Sequence, residues 1–225
     1  MAIQVIAHRG ASAGALENSL AAFRRAVALG ADGIELDVHS TLDGAFVVHH
    51  DPVVPAVGPI AASTLEQLRI RPLPNGEPLP TLEESLEAAG SLDVWVEVKA
   101  LDPAHDATLL SLLRHAPHPD RYAVHSFDHR IVHRLGASHP GLRSGALLSA
   151  HLMDPIRALA DARASVLWQE WGMIDRKLVE RVHESGRAII AWTVDEAADL
   201  IQLAELGVDG LCTNHPARAL HLIRG

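Results

Sequence analysis

The amino-acid sequence predicts an α/β protein, and within that class a closed (β/α)8 TIM barrel with an extra β-hairpin arm after the second strand. Short apolar segments of the β type alternate with helical segments, and this spacing is typical of a parallel sheet. We count eight such strands, and polar residues gather where several of them end. A doubly wound open sheet is the alternative, but no Gly-x-Gly-x-x-Gly pattern follows the first strand.

Helix caps mark the elements of the first half of the chain. Asn18 or Ser19 can cap the first helix, and Gly30 is placed to end it. Two capping boxes, at residues 64–67 and 81–84, predict a short helix and then a longer one. The proline-rich stretches between these helices are predicted to be loops.

The hairpin arm is the most informative stretch of the sequence. Gly33–Ser40 is predicted to form the first strand of the hairpin, the Asp-Gly pair at 43–44 to form the turn, and residues 45–50 to form the second, antiparallel strand. Side chains alternate along a strand, so the carboxylates of the outgoing strand share one face. If the turn is centred between residues 43 and 44, Asp37 lies opposite His50.

The remaining elements follow in a regular rhythm. Strands are predicted at residues 3–8, 93–99, 122–127, 143–148, 165–170, 187–194 and 208–213. Helices are predicted at residues 82–89, 104–115, 128–137 and 155–162. Three more helices follow: one is stopped by Gly186, one is stopped by Gly207, and a short one begins at about residue 216. Three aspartates are expected to cap helices, namely Asp154, Asp175 and Asp195.

Composition narrows the class of protein. With 225 residues, 48% of them hydrophobic, and no linker, residues 1–225 are predicted to form a single domain. The net charge of −9 argues against nucleic acid as a partner. Cys212 is alone, which excludes an intramolecular disulfide. With no signal peptide and no apolar stretch of about 20 residues, we expect a cytoplasmic monomer or homodimer without membrane insertion.

Polar residues collect at the predicted carboxyl ends of the strands, where barrels of this type carry their sites. They are His8, Arg9, Glu35, Asp37, His50, Glu97 and Lys99. Three carboxylates without a cysteine ligand favour Mg²⁺ or Ca²⁺. Two histidines beside such a metal suit general acid and general base roles. The two cationic side chains suit a phosphoryl group.

At these residues the sequence strongly resembles the glycerophosphodiester phosphodiesterase family. The resemblance is carried, in order along nearly the whole chain, by His8-Arg9-Gly10, Glu17-Asn18-Ser19, Gly33-Ile34-Glu35-Leu36-Asp37-Val38, His50-Asp51, Val96-Glu97-Val98-Lys99, Ser126-Phe127, Trp192-Thr193-Val194 and Gly207-Val208-Asp209-Gly210. Any one of these fragments is weak alone, but the ordered set is specific.

The resemblance implies a metal-dependent enzyme that hydrolyses small-molecule glycerophosphodiesters, such as glycerophosphocholine, to glycerol 3-phosphate and an alcohol. Carried over position by position, it implies Glu35, Asp37 and Glu97 as metal ligands, His8 and His50 as the acid/base pair, and Arg9 and Lys99 as phosphate contacts. The attacking group is water or the substrate's own glycerol hydroxyl, which would give a cyclic phosphate. The choice between the two histidines as acid and as base stays open.

The chain also departs from the family pattern. Residues 51–63 lack the Arg-Thr element that often follows the His-Asp pair, which leaves the head group and the cover of the pocket open. Asn214 stands where Asp is common, and Ser19 stands where Thr is usual.

Three residues near strand ends are candidates for a substrate pocket: Phe127, Glu170 and Trp192. Several other functions compete with the leading one. A lysophospholipase D-type activity would use the same site. A metal-dependent sugar isomerase or aldolase would use inward carboxylates but needs no pair of cations beside the metal. A non-catalytic binding module is the third alternative, although none of the implied site residues is lost.

Overall fold

Eight parallel strands close into a barrel in the computed structural model, which describes residues 2–225. The described strands are β1 (Gln4–His8), β2 (Gly33–Ser40), β3 (Phe46–Val48), β4 (Val53–Val54), β5 (Gly58–Pro59), β6 (Asp93–Ala100), β7 (Tyr122–Ser126), β8 (Arg143–Leu148), β9 (Val166–Glu170), β10 (Ala188–Trp192) and β11 (Gly210–Thr213). The barrel runs β1, β2, then β6 to β11 in order, and β11 pairs with β1 to close it. The predicted (β/α)8 barrel is confirmed.

Helices connect the strands and cover the outside of the barrel. The described α-helices are α1 (Leu20–Leu29), α2 (Leu65–Leu68), α3 (Leu82–Ala89), α4 (Asp106–His115), α5 (His129–Ser138), α6 (Pro155–Ala162), α7 (Arg176–Glu184), α8 (Ala197–Leu206) and α9 (Pro216–Arg224). Across residues 2–225, none of these helices is both long and apolar enough to cross a membrane.

Most helices begin where the capping residues predict. Ser19 accepts a hydrogen bond from the N–H of Ala22, and Gly30 ends α1 in the left-handed conformation. Both predicted capping boxes form at the starts of α2 and α3. Asp195 is the exception: α8 begins after Glu196, so the predicted cap at Asp195 is wrong.

The extra strand β3 pairs antiparallel with the end of β2, past the point where β1 stops. Asp37 lies opposite His49, whose N–H donates to the Asp37 carbonyl oxygen at 3.0 Å. The predicted register, with His50 opposite Asp37, is therefore wrong by one residue. The cause is the turn, since its loop has three residues, 42–44, and Gly44 takes the positive φ of 81° that such a loop needs.

Apolar side chains form distinct layers. The barrel interior is filled by Ile6, Trp95, Leu147, Trp168, Ile190 and Cys212 among others, and larger clusters lie between the strands and the outer helices. A separate small cluster packs under β3 within the connection from β2 to α3: Val47, Val54, Ile60, Leu68 and Leu79. The sequence predicts loops around a short helix here, and the apolar cluster packs this connection beside the carboxyl end of β2.

Gly10 lies two residues after His8, the last residue of β1, and packs closely against Ala22 of α1. Its φ is +80°, and a Cβ at this position would lie 2.7 Å from the carbonyl carbon of Ala22. We expect Gly10→Ala to lower the free energy of unfolding by about 2–4 kcal/mol, from left-handed strain plus overpacking against backbone. Gly44→Ala is the matched control, since φ is +81° there and no atom lies within 4 Å. Urea unfolding of both variants checks this, and equal losses would contradict it.

Candidate active site

Three carboxylates meet at the carboxyl ends of β2 and β6. Glu35 and Asp37 are two residues apart on β2, so both side chains point into the barrel mouth. Glu97 on β6 pairs in register with Asp37. One oxygen of each of the three lies within 4.8 Å of the others, and all three side chains are buried.

Two cationic side chains contact this acidic cluster. Lys99 Nζ lies 2.8 Å from Asp37 Oδ1 and 2.7 Å from Glu97 Oε1. Arg9 Nε lies 3.2 Å from Asp37 Oδ2, and the other end of its guanidinium lies 2.9 Å from Glu17 Oε1. The strand ends therefore bring together the residues that the sequence predicts as metal ligands and as phosphate contacts.

Asn18 holds Asp37 in place, a role that sequence reasoning missed. Its Nδ2 donates to Asp37 Oδ2 at 2.7 Å, and its Oδ1 accepts from the Asp37 backbone N–H at 3.3 Å. Its own N–H donates to the Arg9 carbonyl oxygen at 3.0 Å. The sequence offered Asn18 only as a possible helix cap, but Ser19 caps α1 and leaves the amide free for the site.

Burial and crowding of like charges set the protonation of the cluster. Burial raises the pKa of Glu35 to about 7, and the Asp37 carboxylate beside it adds to the rise. Burial, with the neighbouring Glu35 and Asp37, raises the pKa of Glu97 to about 7. Burial alone would raise the pKa of Asp37, but Lys99 and Arg9 outweigh it and lower that pKa. Asp37 is therefore the carboxylate that stays ionised.

The donor set of the cluster fits a hard divalent cation. Its three ligands are carboxylate oxygens, which Mg²⁺ and Ca²⁺ prefer. Burial, and then the repulsion of neighbouring like charges, raises the pKa values of two of the three carboxyls, and a bound cation would relieve that repulsion. The oxygen donors suit both ions.

Metal binding at this cluster should release protons. Ligating carboxylates must be ionised, and Glu35 and Glu97 both have pKa values of about 7 in the metal-free protein. We expect Ca²⁺ or Mg²⁺ to displace about one proton or more at pH ~6 and almost none at pH ~8.5, with affinity rising between. Calorimetric titration in buffers of different ionisation enthalpy measures the number released. Binding at pH 6 with no proton release would contradict this expectation.

His8 ends β1 with its ring facing the acidic cluster. It pairs in register with Glu35, and its Nε2 lies 4.0 Å from Glu35 Oε2. The backbone N–H of the next residue, Arg9, also donates to Glu35 Oε2 at 3.2 Å. On its other side the ring is held by Asn214, whose Oδ1 lies 2.8 Å from His8 Nδ1.

The second predicted catalytic histidine, His50, follows directly after β3. Its Nδ1–H donates to Asp51 Oδ1 at 2.8 Å, and its side chain is 39% exposed. Its backbone is fixed by His39, whose Nε2–H donates to the His50 carbonyl oxygen at 3.2 Å. His39 is buried, two residues beyond Asp37 on β2.

An apolar cavity of about 370 Å³ opens beside His50. Its walls come from residues 16–18, which precede α1, and from the connection between β2 and α3, including His49, His50, Val54, Leu68 and Leu79. The three predicted pocket residues cluster at another part of the mouth: Trp192 pairs in register with Glu170, and its ring contacts Phe127 edge to face at 5.5 Å.

His125 lies beneath the carboxylates and closes the floor of the mouth. Its Nε2 is 3.7 Å from Glu35 Oε1, and its ring packs on Trp168 at 4.3 Å and on Trp95. Burial lowers the pKa of His125 to about 4, so the ring is neutral at physiological pH.

The fold and this mouth define a (β/α)8-barrel protein with a buried acidic centre suited to a divalent cation and flanked by basic side chains. The model of the glycerophosphoryl diester phosphodiesterase family matches residues 8–218, so the chain belongs to that family. The predicted resemblance to an enzyme family of this class is confirmed.

Relatives and solved structures agree with this membership. A glycerophosphodiester phosphodiesterase of Caldanaerobacter subterraneus subsp. tengcongensis is 34% identical over 236 residues, covering 98% of this chain and 97% of that protein. A glycerophosphodiester phosphodiesterase structure from Parabacteroides distasonis superposes with a TM-score of 0.88 at 26% identity, covering 98% and 96%. An Oleispira antarctica phosphodiesterase has the same fold, with a TM-score of 0.92 at 24% identity and coverage of 99% and 97%.

Proposed function

We propose that this protein hydrolyses glycerophosphodiesters such as glycerophosphocholine to glycerol 3-phosphate and an alcohol, with Mg²⁺ or Ca²⁺ as cofactor. The observation that carries the proposal is the buried group of three carboxylates facing His8. It occurs in a chain that is 34% identical to the Caldanaerobacter glycerophosphodiester phosphodiesterase over 98% of its length. The Oleispira antarctica phosphodiesterase, which has this fold, was solved with its product sn-glycerol-3-phosphate.

Substrate binding is assigned to the acidic cluster and its two cations. Glu35, Asp37 and Glu97 would hold the metal, and Arg9 and Lys99 would contact the phosphate oxygens. A bound divalent cation would supply Lewis-acid stabilisation of the charge that develops on the phosphoryl oxygens. Lys99 and Arg9 offset two of the three carboxylate charges, so a bound divalent cation would leave the cluster with a net positive charge for an anionic substrate.

Proton transfer is assigned to His8 and His50. Each ring uses Nδ1 for a hydrogen bond within the protein, to Asn214 for His8 and to Asp51 for His50. Nε2 of each ring is therefore the atom that exchanges a proton with substrate. One histidine takes the proton of the attacking oxygen as it bonds to phosphorus, and the other gives a proton to the leaving alcohol as its P–O bond breaks. Attack by water gives glycerol 3-phosphate directly, whereas attack by the glycerol hydroxyl gives a cyclic phosphate that a water molecule then opens.

The leaving alcohol is assigned to the mouth of the barrel. Phe127, Glu170 and Trp192 lie together there, and an aromatic pair beside a carboxylate suits a small cationic head group such as choline. The cavity beside His50 is mostly apolar. A lysophospholipid whose acyl chain occupied this cavity would fit the alternative, lysophospholipase D-type activity.

Phosphorus NMR of a glycerophosphocholine digest tests the proposed reaction, because it identifies which P–O bond breaks. We expect glycerol 3-phosphate and choline. Phosphocholine with glycerol, or no turnover by folded protein in Mg²⁺ or Ca²⁺, would contradict the proposal. A transient cyclic phosphate signal would identify the glycerol hydroxyl as the attacking group. Parallel digests of lysophosphatidylcholine and of ethanolamine and inositol diesters rank the head groups.

A further inference from the structure

A chain of hydrogen bonds runs from His8, at the end of β1, to Asn214, which follows β11, and on to Asp195, which lies between β10 and α8. We propose that Asn214, itself oriented by Asp195, is a positioning residue that fixes which nitrogen of His8 carries the proton and where Nε2 points. Ala7 pairs in register with Thr213, so the ends of β1 and β11 place His8 and Asn214 side by side. The consequence for catalysis rests on the function proposed for His8, but the tautomer itself does not.

The chain begins at Asp195, whose carboxylate is committed to this task. Asp195 Oδ2 accepts from Asn214 Nδ2 at 2.7 Å, and Oδ1 accepts from the Asn214 backbone N–H at 2.9 Å and from Thr213 Oγ1 at 3.0 Å. Burial alone would raise the pKa of Asp195, but these hydrogen bonds outweigh it and lower that pKa. Asp195 is free for this role because Glu196, not Asp195, precedes α8.

The orientation of the Asn214 amide follows from this contact. An ionised carboxylate can only accept hydrogen bonds, so the amide NH₂ must face Asp195 and the amide oxygen must face the other way. That oxygen lies 2.8 Å from His8 Nδ1 and 2.8 Å from Ser12 Oγ. A flipped amide would set its oxygen against the carboxylate and would lose the hydrogen bond to Asp195 Oδ2.

The amide oxygen in turn fixes the tautomer of His8. An amide oxygen can only accept, so His8 Nδ1 must carry a proton. In the neutral ring the lone pair is then on Nε2, the atom that lies 4.0 Å from Glu35 Oε2. An asparagine achieves this without adding a charge beside the ring, whereas an aspartate at the same place would set a second carboxylate against Asp195.

Nitrogen NMR of ¹⁵N-histidine-labelled protein at pH ~8.5, about two units above the usual histidine pKa, tests the inference directly. The His8 signals are assigned by their loss in His8→Gln. We expect the Nδ1–H tautomer in the wild type and a mixed or Nε2–H pattern in Asn214→Leu. Asn75→Leu, which removes an amide from an exposed turn, should leave the pattern unchanged.

Kinetics provide the second readout. For Asn214→Leu we expect kcat to fall about 10- to 100-fold with KM changed less than about threefold. If Asn214→Leu does not fold, Asp195→Asn replaces it, because removing the carboxylate frees the amide to flip. An Nε2–H tautomer in the wild type, or a tautomer that survives in Asn214→Leu, would overturn the inference. The expected tautomers without wild-type turnover would support the positioning role and contradict the proposed function alone.

Discussion

Replacing His8 by alanine is expected to lower kcat for glycerophosphocholine about 10³-fold, with a much smaller change in KM. The reason is that the ring contributes proton transfer at Nε2, and a positioned acid or base is worth about 10²–10⁴ in rate. His8 lies against Glu35 and Asn214 rather than in the apolar core, so its removal should leave the barrel intact. Steady-state kinetics on protein with a wild-type melting temperature measure the effect.

A matched control for His8→Ala is His118→Ala. His118 is exposed and precedes β7, so it lies at the end of the barrel away from the mouth. We expect its removal to leave kcat within about twofold. His50→Ala should behave like His8→Ala if both rings transfer protons. A His8→Ala enzyme with near wild-type kcat would refute the assignment of His8.

The second large effect is expected at Glu97. It is the most suitable carboxylate to test because it forms a salt bridge with Lys99, whereas Asp37 also contacts Asn18 and Arg9. Glu97→Gln keeps the shape of the side chain but removes one charged ligand. We expect Ca²⁺ affinity to fall by at least about 100-fold and kcat/KM by about 10³-fold at low metal concentration.

The control for Glu97→Gln is Glu83→Gln, an exposed residue in the first turn of α3. Calorimetric titration with Ca²⁺ and with Mg²⁺ compares the two variants, and excess metal should restore part of the activity of Glu97→Gln. Unchanged affinity in Glu97→Gln would mean that the acidic cluster is an internal ion-pair network with Lys99 and Arg9 rather than a metal site.

Much of the fold could be predicted from the sequence, and so could the convergence of most candidate site residues at one end of the barrel, because both depend on short-range periodicity. Alternation on β2 puts Glu35 and Asp37 on one face whatever the rest of the chain does. Parallel pairing then brings the end of β6, with Glu97 and Lys99, to the same place. The helix caps at Ser19 and the two capping boxes are likewise local signals.

The features that sequence reasoning missed depend on geometry that no local pattern encodes. The register of β3 depends on whether the hairpin loop has two or three residues, because a difference of one residue changes the cross-strand partner of every residue in β3. Asp195 and Asn18 are both good cap residues, and only the three-dimensional arrangement shows that each is used at the site instead. Contacts between residues far apart in sequence, such as His8 with Asn214, follow from closure of the barrel.

Metal dependence is the central claim, and release of glycerol 3-phosphate from glycerophosphocholine by metal-stripped protein tests it most directly. We predict no release in EDTA, full recovery when Mg²⁺ or Ca²⁺ is added in excess, and no recovery in Glu97→Gln at the metal concentration that half-saturates the wild type. Undiminished release in EDTA by protein shown to be free of metal would contradict the account, because the three buried carboxylates would then have no cation to hold.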